Sequence, residues 1–307
     1  MKLTSIITVN YRQPALTVDL LHSIASHADR QAVEVIVVDN GSPLDQQAVF
    51  DAAYPGVVYV RSEKNLGFAG GNNLGIQHAT GDYLLFLNND TEITANFIAT
   101  LRTELDSHPD IGLLSPLILY FEDKRKIQYA GYTPMNYFTG RNRGIAIMAD
   151  DNGQYNEITT QTGYCHGAAM ACRRSDLTRV GLMEEHFFLY YEELDWCEKF
   201  RRAGLKLGFT GKARIFHKES MSVGKESPLK TYFMSRNRWL FIRRNATPLQ
   251  AAVFACYYLL VASPVSIGKC LIAGKSGLAK AALQAIWWNL TQPKDSQKLG
   301  MRLPEHR

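Results

Sequence analysis

The apolar run Leu84-Leu85-Phe86-Leu87 ends in Asn88-Asn89-Asp90, two amides and a carboxylate. A short uninterrupted run of this kind reads as a strand buried on both faces, as in a parallel sheet. Open α/β sheets bind ligands at the C-terminal tips of such strands. A carboxylate placed there can hold a hard divalent cation that bridges phosphate oxygens. Taken alone, Asn-Asn-Asp is equally a turn sequence, because these side chains bond their own backbone. Two other apolar runs also end in polar clusters, Thr8-Val9-Asn10 and Asp39-Asn40-Gly41-Ser42. Three such ends on one sheet edge suggest a binding crevice. Asp39 could there accept a hydrogen bond from a pyrimidine imide N–H or a ribose hydroxyl. Gly67, Gly70 and Gly71 allow backbone to approach a ligand closely. They spell neither a Gly-x-Gly-x-x-Gly turn directly after a strand nor a Walker A loop.

A second acidic cluster, Glu192-Glu193-Leu194-Asp195, sits among Phe187, Phe188, Tyr190, Tyr191 and Trp196. On a helix, Glu192 and Asp195 share a face and Glu193 points elsewhere. Acids at a helix start are ordinarily solvated and complement the dipole. An aromatic setting instead raises a carboxylate's pKa and suits a general base. His217 closes the short run Ala213-Arg214-Ile215-Phe216 and opens a Ser/Gly/Lys-containing loop over residues 218–225. There it is either structural, or it completes a metal shell or meets a diphosphate.

These residues need a scaffold, and the pattern supplies one. Strands are expected at residues 3–9, 33–38, 57–61 and 83–87, with helices at 14–28 and from 67 through 79. Such alternation marks βαβ units around a parallel sheet. Past roughly residue 110 the pattern loosens. Residues 132–162, rich in Gly, Asn, Asp and aromatics, read as an excursion over the active face, and 184–202 as at least partly helical.

A net charge of +5 over 307 residues does not demand nucleic acid. The five scattered cysteines, with no Cys-x-x-Cys pair, support neither a disulfide framework nor a zinc site. A reducing, cytoplasmic compartment is expected. Arg236, Arg238, Arg243 and Arg244 lead into residues 245–268, which carry no charge. Pro264 interrupts this stretch, and a second one, 278–290, ends near Trp287-Trp288, a pair expected at the membrane–water interface. A spanning helix needs about 20 apolar residues. The segment is read as interfacial helices on the inner leaflet, with Arg243, Arg244, Lys269, Lys275 and Lys280 near anionic headgroups. The alternative is a helical pair packed on the catalytic domain, or an oligomer contact.

The ordered motifs match a family. Val9-Asn10-Tyr11, Val38-Asp39-Asn40-Gly41-Ser42, Asn65-x-Gly67-Phe68-Ala69-Gly70-Gly71-Asn72, Leu87-Asn88-Asn89-Asp90 and Phe187-Phe188-x-Tyr190-x-Glu192-Glu193-x-Asp195 follow in series. Over roughly residues 2–244 the chain resembles the family-two inverting glycosyltransferases, and more narrowly their bacterial rhamnosyltransferase-like branch. The resemblance implies an α/β fold of GT-A type, a Rossmann-like mostly parallel central sheet flanked by helices, with C-terminal amphipathic or apolar helices. It divides the chain into a catalytic domain, 1–244, and a membrane-associating helical segment, 245–307.

It further implies a nucleotide-diphosphate sugar donor, Mg2+ or Mn2+, and a glycan or polyprenyl-linked glycan acceptor in surface polysaccharide synthesis. Deoxythymidine-diphosphate rhamnose is the first donor suggested, with uridine-diphosphate sugars next. The enzyme would be peripheral on the inner face of the cytoplasmic membrane. Asp39 would hold the donor's base or ribose, alongside Thr8, Asn10, Asn40, Asn65, Gly67, Asn72, Asn88 and Asn89. Asp90 would ligate the metal in place of the last acid of an Asp-x-Asp motif, with Asn88 standing where many members carry aspartate. Glu193 falls where the family's base is usually aspartate, with Asp195 in reserve and Glu192 beside them. His217 matches a histidine of the metal and diphosphate site, and Arg236-Asn237 resembles the pair that follows it. The implied chemistry is a metal-assisted single displacement. A nucleotidyltransferase would need a Gly-rich basic loop after the first strand, where Asn10-Tyr11-Arg12-Gln13-Pro14 stands instead. Asn88 and Glu193 also admit a non-catalytic carbohydrate-binding scaffold with a degenerate transferase domain.

Overall fold

The computed structural model describes residues 2–218 and 227–303. Strands β1 (Thr4–Asn10), β2 (Val33–Asn40), β3 (Val58–Ser62) and β4 (Tyr83–Leu87) alternate with helices α1 (Pro14–His27), α2 (Gln47–Ala53) and α3 (Gly67–His78). They pair in parallel in the order β3-β2-β1-β4. Successive side chains of a strand point to opposite faces, and here both faces are covered. Ile6, Val35 and Leu85 join one buried cluster with Leu20, Ile24 and Phe50 of α1 and α2. Ile7, Ile36 and Phe86 join another with Ala69 of α3. That double burial is why these strands read as continuous apolar runs. Helix α3 lies close against the sheet, since a Cβ on Gly71 would come within 2.8 Å of the Val9 side chain.

Beyond β4 the sheet becomes mixed. Strand β5 (Thr91–Ile93), helix α4 (Phe97–Ser107), strands β6 (Ile111–Tyr120), β7 (Ile127–Tyr129), β8 (Thr159–Gln161) and β9 (Ala169–Arg173) come next, then helices α5 (Leu177–Val180) and α6 (Glu192–Arg202) and strand β10 (Lys206–His217). The path is β3-β2-β1-β4-β9-β6-β10-β5, with β7 on β6 and β8 on β10. Antiparallel β9 and β4 pair along their lengths, and antiparallel pairing of β10 with β5 sets His217 opposite Thr91, next to Asp90. Strand β10 runs well beyond the short run expected around 213–216. The 184–202 segment divides into a 3-10 turn, Glu185–Phe187, an irregular strap and then α6.

Helices α7 (Pro228–Asn245), α8 (Pro248–Tyr257), α9 (Ser263–Ile272) and α10 (Ser276–Thr291) complete the described chain. Three expectations for this region need correction. Pro264 does not interrupt the helix. A π-helical turn at Tyr258–Ala262 joins α8 to α9 and absorbs the missing N–H and the ring's bulk. Residues Pro248–Ile272 therefore form one helix of 25 residues, long and apolar enough to cross a membrane. The tryptophan pair divides, with Trp287 68% exposed and Trp288 3% exposed, its indole N–H donating to the Lys298 carbonyl. Arg243 and Arg244 do not face outward. Arg243 bonds the Asn289 and Gln292 carbonyls, and Arg244 pairs with Glu184 and Asp195.

Candidate active site

Asp90 stands just past β4 and is 8% exposed. Its Oδ1 lies 3.1 Å from His217 Nε2, and no hydrogen bond satisfies that oxygen among the described residues. On the far side of the ring, His217 Nδ1 is 2.8 Å from Gln128 Oε1 on β7, which fixes the ring so that Nε2 faces Asp90. A second ring, His166, has its centroid 6.1 Å from that of His217. Burial, and then the neighbouring His217, pushes His166 down to about 3, so it stays neutral. A hard carboxylate oxygen and an oriented imidazole fit Mg2+ or Mn2+. No group of three His, Cys, Asp or Glu side chains among the described residues could hold an ion alone. That suits a cation which takes its remaining ligands from phosphate and water. Of the loop after His217, residues 219–225 lie outside the described residues.

The acidic helix meets the same region through Gly167. Glu193 is half-buried in the first turn of α6. Burial holds its carboxyl above the usual carboxylate range, against the pull of the backbone N–H groups of that turn. Glu192, 4% exposed, is pushed further by burial and then by the charge of Glu193. Gly167 connects the two halves. A Cβ there would sit 3.6 Å from Glu193 Cγ and 3.7 Å from Phe68 Cζ. Its neighbours are His166 and Ala168, and the Ala168 carbonyl accepts from the Asn88 N–H at 3.0 Å. The tip of β4 and the start of α6 therefore flank one short peptide.

The strap before α6 is strained. Phe188, Tyr190 and Tyr191 have φ of 65°, 68° and 75°, unusual for bulky residues. Arg236 and Asn237 of α7 hold it. The Arg236 guanidinium donates to the carbonyls of His186, Phe187 and Leu299, and its Nε to Asn237 Oδ1. Asn237 Nδ2 donates to the carbonyls of Phe187, Leu189 and Tyr190 at 2.8–2.9 Å. This corrects the expectation for Arg236 as a donor-binding residue. It is fully buried, and its donors are committed to those carbonyls and to Asn237. Asp195 is likewise enclosed at 0% exposure, with Oδ1 taken by Arg244 and Asn245. That geometry removes it as the reserve base.

The polar strand ends converge as the pattern implied, and mostly onto one another. Asn10 Oδ1 accepts from Thr17, and its amide donates to Asp39 at 3.2 Å. Asp39 Oδ2 accepts from the Tyr59 hydroxyl at 3.0 Å, with Arg61 Nε 3.8 Å away. Asn40 bonds Asn65, the Leu66 N–H and the Gly67 carbonyl. Gly67, at φ +73°, turns against the strap, where a Cβ would collide with the Phe188 carbonyl. Asn72 bonds the Phe68 carbonyl, and Asn89 bonds Thr17. Thr8 is fully enclosed, so its side chain is not presented to the crevice. Asn88 is half-exposed beside Asp90. Sequence reasoning missed His166, Gly167 and Gln128. The His166-Gly167 pair directly before a buried strand was a legible signal, whereas Gln128 carried none.

Residues 5–181 match Glycosyl transferase family 2. The low-salt glycan biosynthesis hexosyltransferase Agl10 of Haloferax volcanii is 28% identical over 241 residues, covering 77% of this chain and 74% of that protein. The N-acetylglucosaminyl-diphospho-decaprenol L-rhamnosyltransferase of Mycobacterium tuberculosis is 22% identical, covering 71% and 76%. Among solved structures, the mannosyltransferase PcManGT from Pyrobaculum calidifontis, in complex with GDP-Man and Mn2+, superposes with a TM-score of 0.58 at 16% identity, over 94% of this chain and 87% of that one. The fold is of GT-A type, an open central sheet flanked by helices. The chain belongs to glycosyl transferase family 2 and is a glycosyltransferase of glycan biosynthesis.

Proposed function

We propose that the enzyme inverts the anomeric centre of a nucleoside-diphosphate sugar in one displacement, onto a hydroxyl of a lipid-linked glycan. Rhamnose from a deoxythymidine diphosphate is the favoured donor. The observation that carries this reading is the Gly167 bridge between the Asp90 and Glu193 sides. Glu193 takes the proton of the acceptor hydroxyl, and that oxygen bonds to the anomeric carbon from the face opposite the diphosphate. The bond to the diphosphate oxygen breaks in the same step. Asp90 and His217 would hold a divalent cation, which would supply charge neutralisation at the leaving diphosphate. Asp39 reaches the donor's base or ribose once the Tyr59 hydroxyl yields its place. Asn10, Asn40, Asn65, Gly67, Asn72 and Asn89 shape the loops around the nucleotide.

Asp90→Asn tests the donor half. Transfer falls by roughly 100-fold or more, because a cation's charge stabilisation is worth several kcal/mol. Thermal stabilisation of the protein by dTDP or UDP with Mn2+ also shrinks, since a bound ligand stabilises in proportion to its affinity. Full stabilisation in this variant would move the cation elsewhere. A carbohydrate-binding scaffold would show no Mn2+-dependent release of nucleoside diphosphate at all.

The exposed helix supports a membrane location. Its length is roughly 37 Å at the usual helical rise, against about 30 Å of hydrocarbon. Leu260 is 76% and Ile272 91% exposed, and Lys269, Lys275 and Lys280 are exposed nearby. The protein therefore sediments with phosphatidylcholine–phosphatidylglycerol vesicles. The pair Leu260→Glu with Ile272→Glu weakens that binding by roughly 100-fold, because each leucine-sized side chain contributes about 1.5–3 kcal/mol on burial. Unaltered sedimentation at unchanged melting temperature would take the helix out of the bilayer.

A further inference from the structure

A cavity of about 270 Å³ opens between α7, the Pro248–Ile272 helix and the excursion that precedes β8. Arg141, Arg238, Ser235, Ser263 and Tyr191 are among its walls, and no acidic residue lines it. One of these side chains is unfinished. Arg238 Nε is buried and has no hydrogen-bond partner among the described residues. A buried donor left unmade costs about 1–3 kcal/mol, and more when charged, which an entering anion would recover. The other end of Arg238 is anchored by the Thr139 carbonyl.

The two ends of the cavity differ in character. At one, Tyr191 caps the helix that starts with Glu192 and Glu193. Its hydroxyl lies within the fields of Arg238, Arg141 and Glu193 together. At the other, Ser263 and the exposed Ser266 sit on the apolar helix, beside Val261 and Val265 at 51% and 54% exposure. A phosphate held between the arginines would have an apolar surface on one side and the base on the other. Free phosphate needs no apolar runway, and a bilayer surface needs no enclosed arginine.

We propose that Arg141 and Arg238 grip the phosphate or diphosphate of a polyprenyl-linked acceptor in this cavity, its prenyl chain lying along the Pro248–Ile272 helix and its sugar reaching towards Glu193. The assignment rests on the transferase reading and adds to it the site that holds the acceptor's phosphate.

The test uses full-length protein and phosphatidylcholine vesicles in three forms: plain, doped with undecaprenyl phosphate, and doped with phosphatidylglycerol at equal charge. Undecaprenyl phosphate tightens binding above both others. Arg141→Gln and Arg238→Gln each cancel about tenfold of that preference, the worth of one charge-assisted hydrogen bond. Inorganic pyrophosphate competes with the doped lipid for the wild type. Equal gains from phosphatidylglycerol would reduce the effect to surface charge and overturn the proposal. Tight pyrophosphate binding with no lipid preference would make this a free-phosphate site and overturn it too. Arg141 is exposed, so its variant keeps the test decisive should Arg238→Gln fail to fold. If the transferase reading itself fails, wild-type protein releases no nucleoside diphosphate from any donor, yet the lipid preference persists. If only the cavity assignment fails, Mn2+-dependent donor hydrolysis persists without that preference.

Discussion

Glu193→Gln lowers sugar transfer by about 10²–10⁴-fold, the range for losing a positioned general base. The substitution keeps the shape and removes only the proton-accepting oxygen. Donor affinity stays near wild type, because Asp90 and His217 sit across the Gly167 peptide and are untouched. The pH profile carries a second signature. A base works ionised, and burial raises the Glu193 pKa. The acid limb of kcat/KM therefore lies above the 4.5 of an ordinary glutamate, with activity rising as pH rises through it. Glu193→Gln flattens that limb. Turnover within a few-fold of wild type would take the base away from α6 altogether. Asp195 cannot inherit the role, since Arg244 and Asn245 hold it in the interior.

The half of the sheet that follows the parallel rules was legible residue by residue. Strand β4 kept its expected bounds, because a run buried on both faces and bounded by polar residues has few competing readings. Helix α2 was not read, since a single buried residue, Phe50, anchors it and its periodicity is faint. The length of β10 was hidden because its pairing with β6 is broken by a bulge between Thr210 and Arg214, and β8 and β5 each pair with only one part of it. Among site residues, type and spacing located the strand ends and the acidic turn. They did not say which polar groups face a ligand and which face one another. Arg236 shows the limit most plainly. A motif of arginine and asparagine after a diphosphate-type histidine invites a phosphate role, and only coordinates reveal that three backbone carbonyls and the Asn237 side chain take the donors of Arg236.

Asn237 tests what that pair does. Its amide nitrogen meets three carbonyls of a strap whose Phe188, Tyr190 and Tyr191 hold positive φ. Each such residue stores about 1–3 kcal/mol and persists only where surrounding bonds over-determine it. Asn237→Ala therefore destabilises the fold by about 2–4 kcal/mol, as buried carbonyls lose a donor. The surviving folded enzyme loses kcat more than donor KM, because the strap sets Glu193 and leaves Asp90 alone. Asn237→Asp separates this account from simple packing. The side chain is isosteric, but an ionised carboxylate has no proton to give and would face those carbonyls with negative charge. It is at least as damaging as the alanine variant, in thermal unfolding and in kcat alike. A well-folded, active Asn237→Asp enzyme would mean that shape, and not the donated hydrogen bonds, keeps the strap in place.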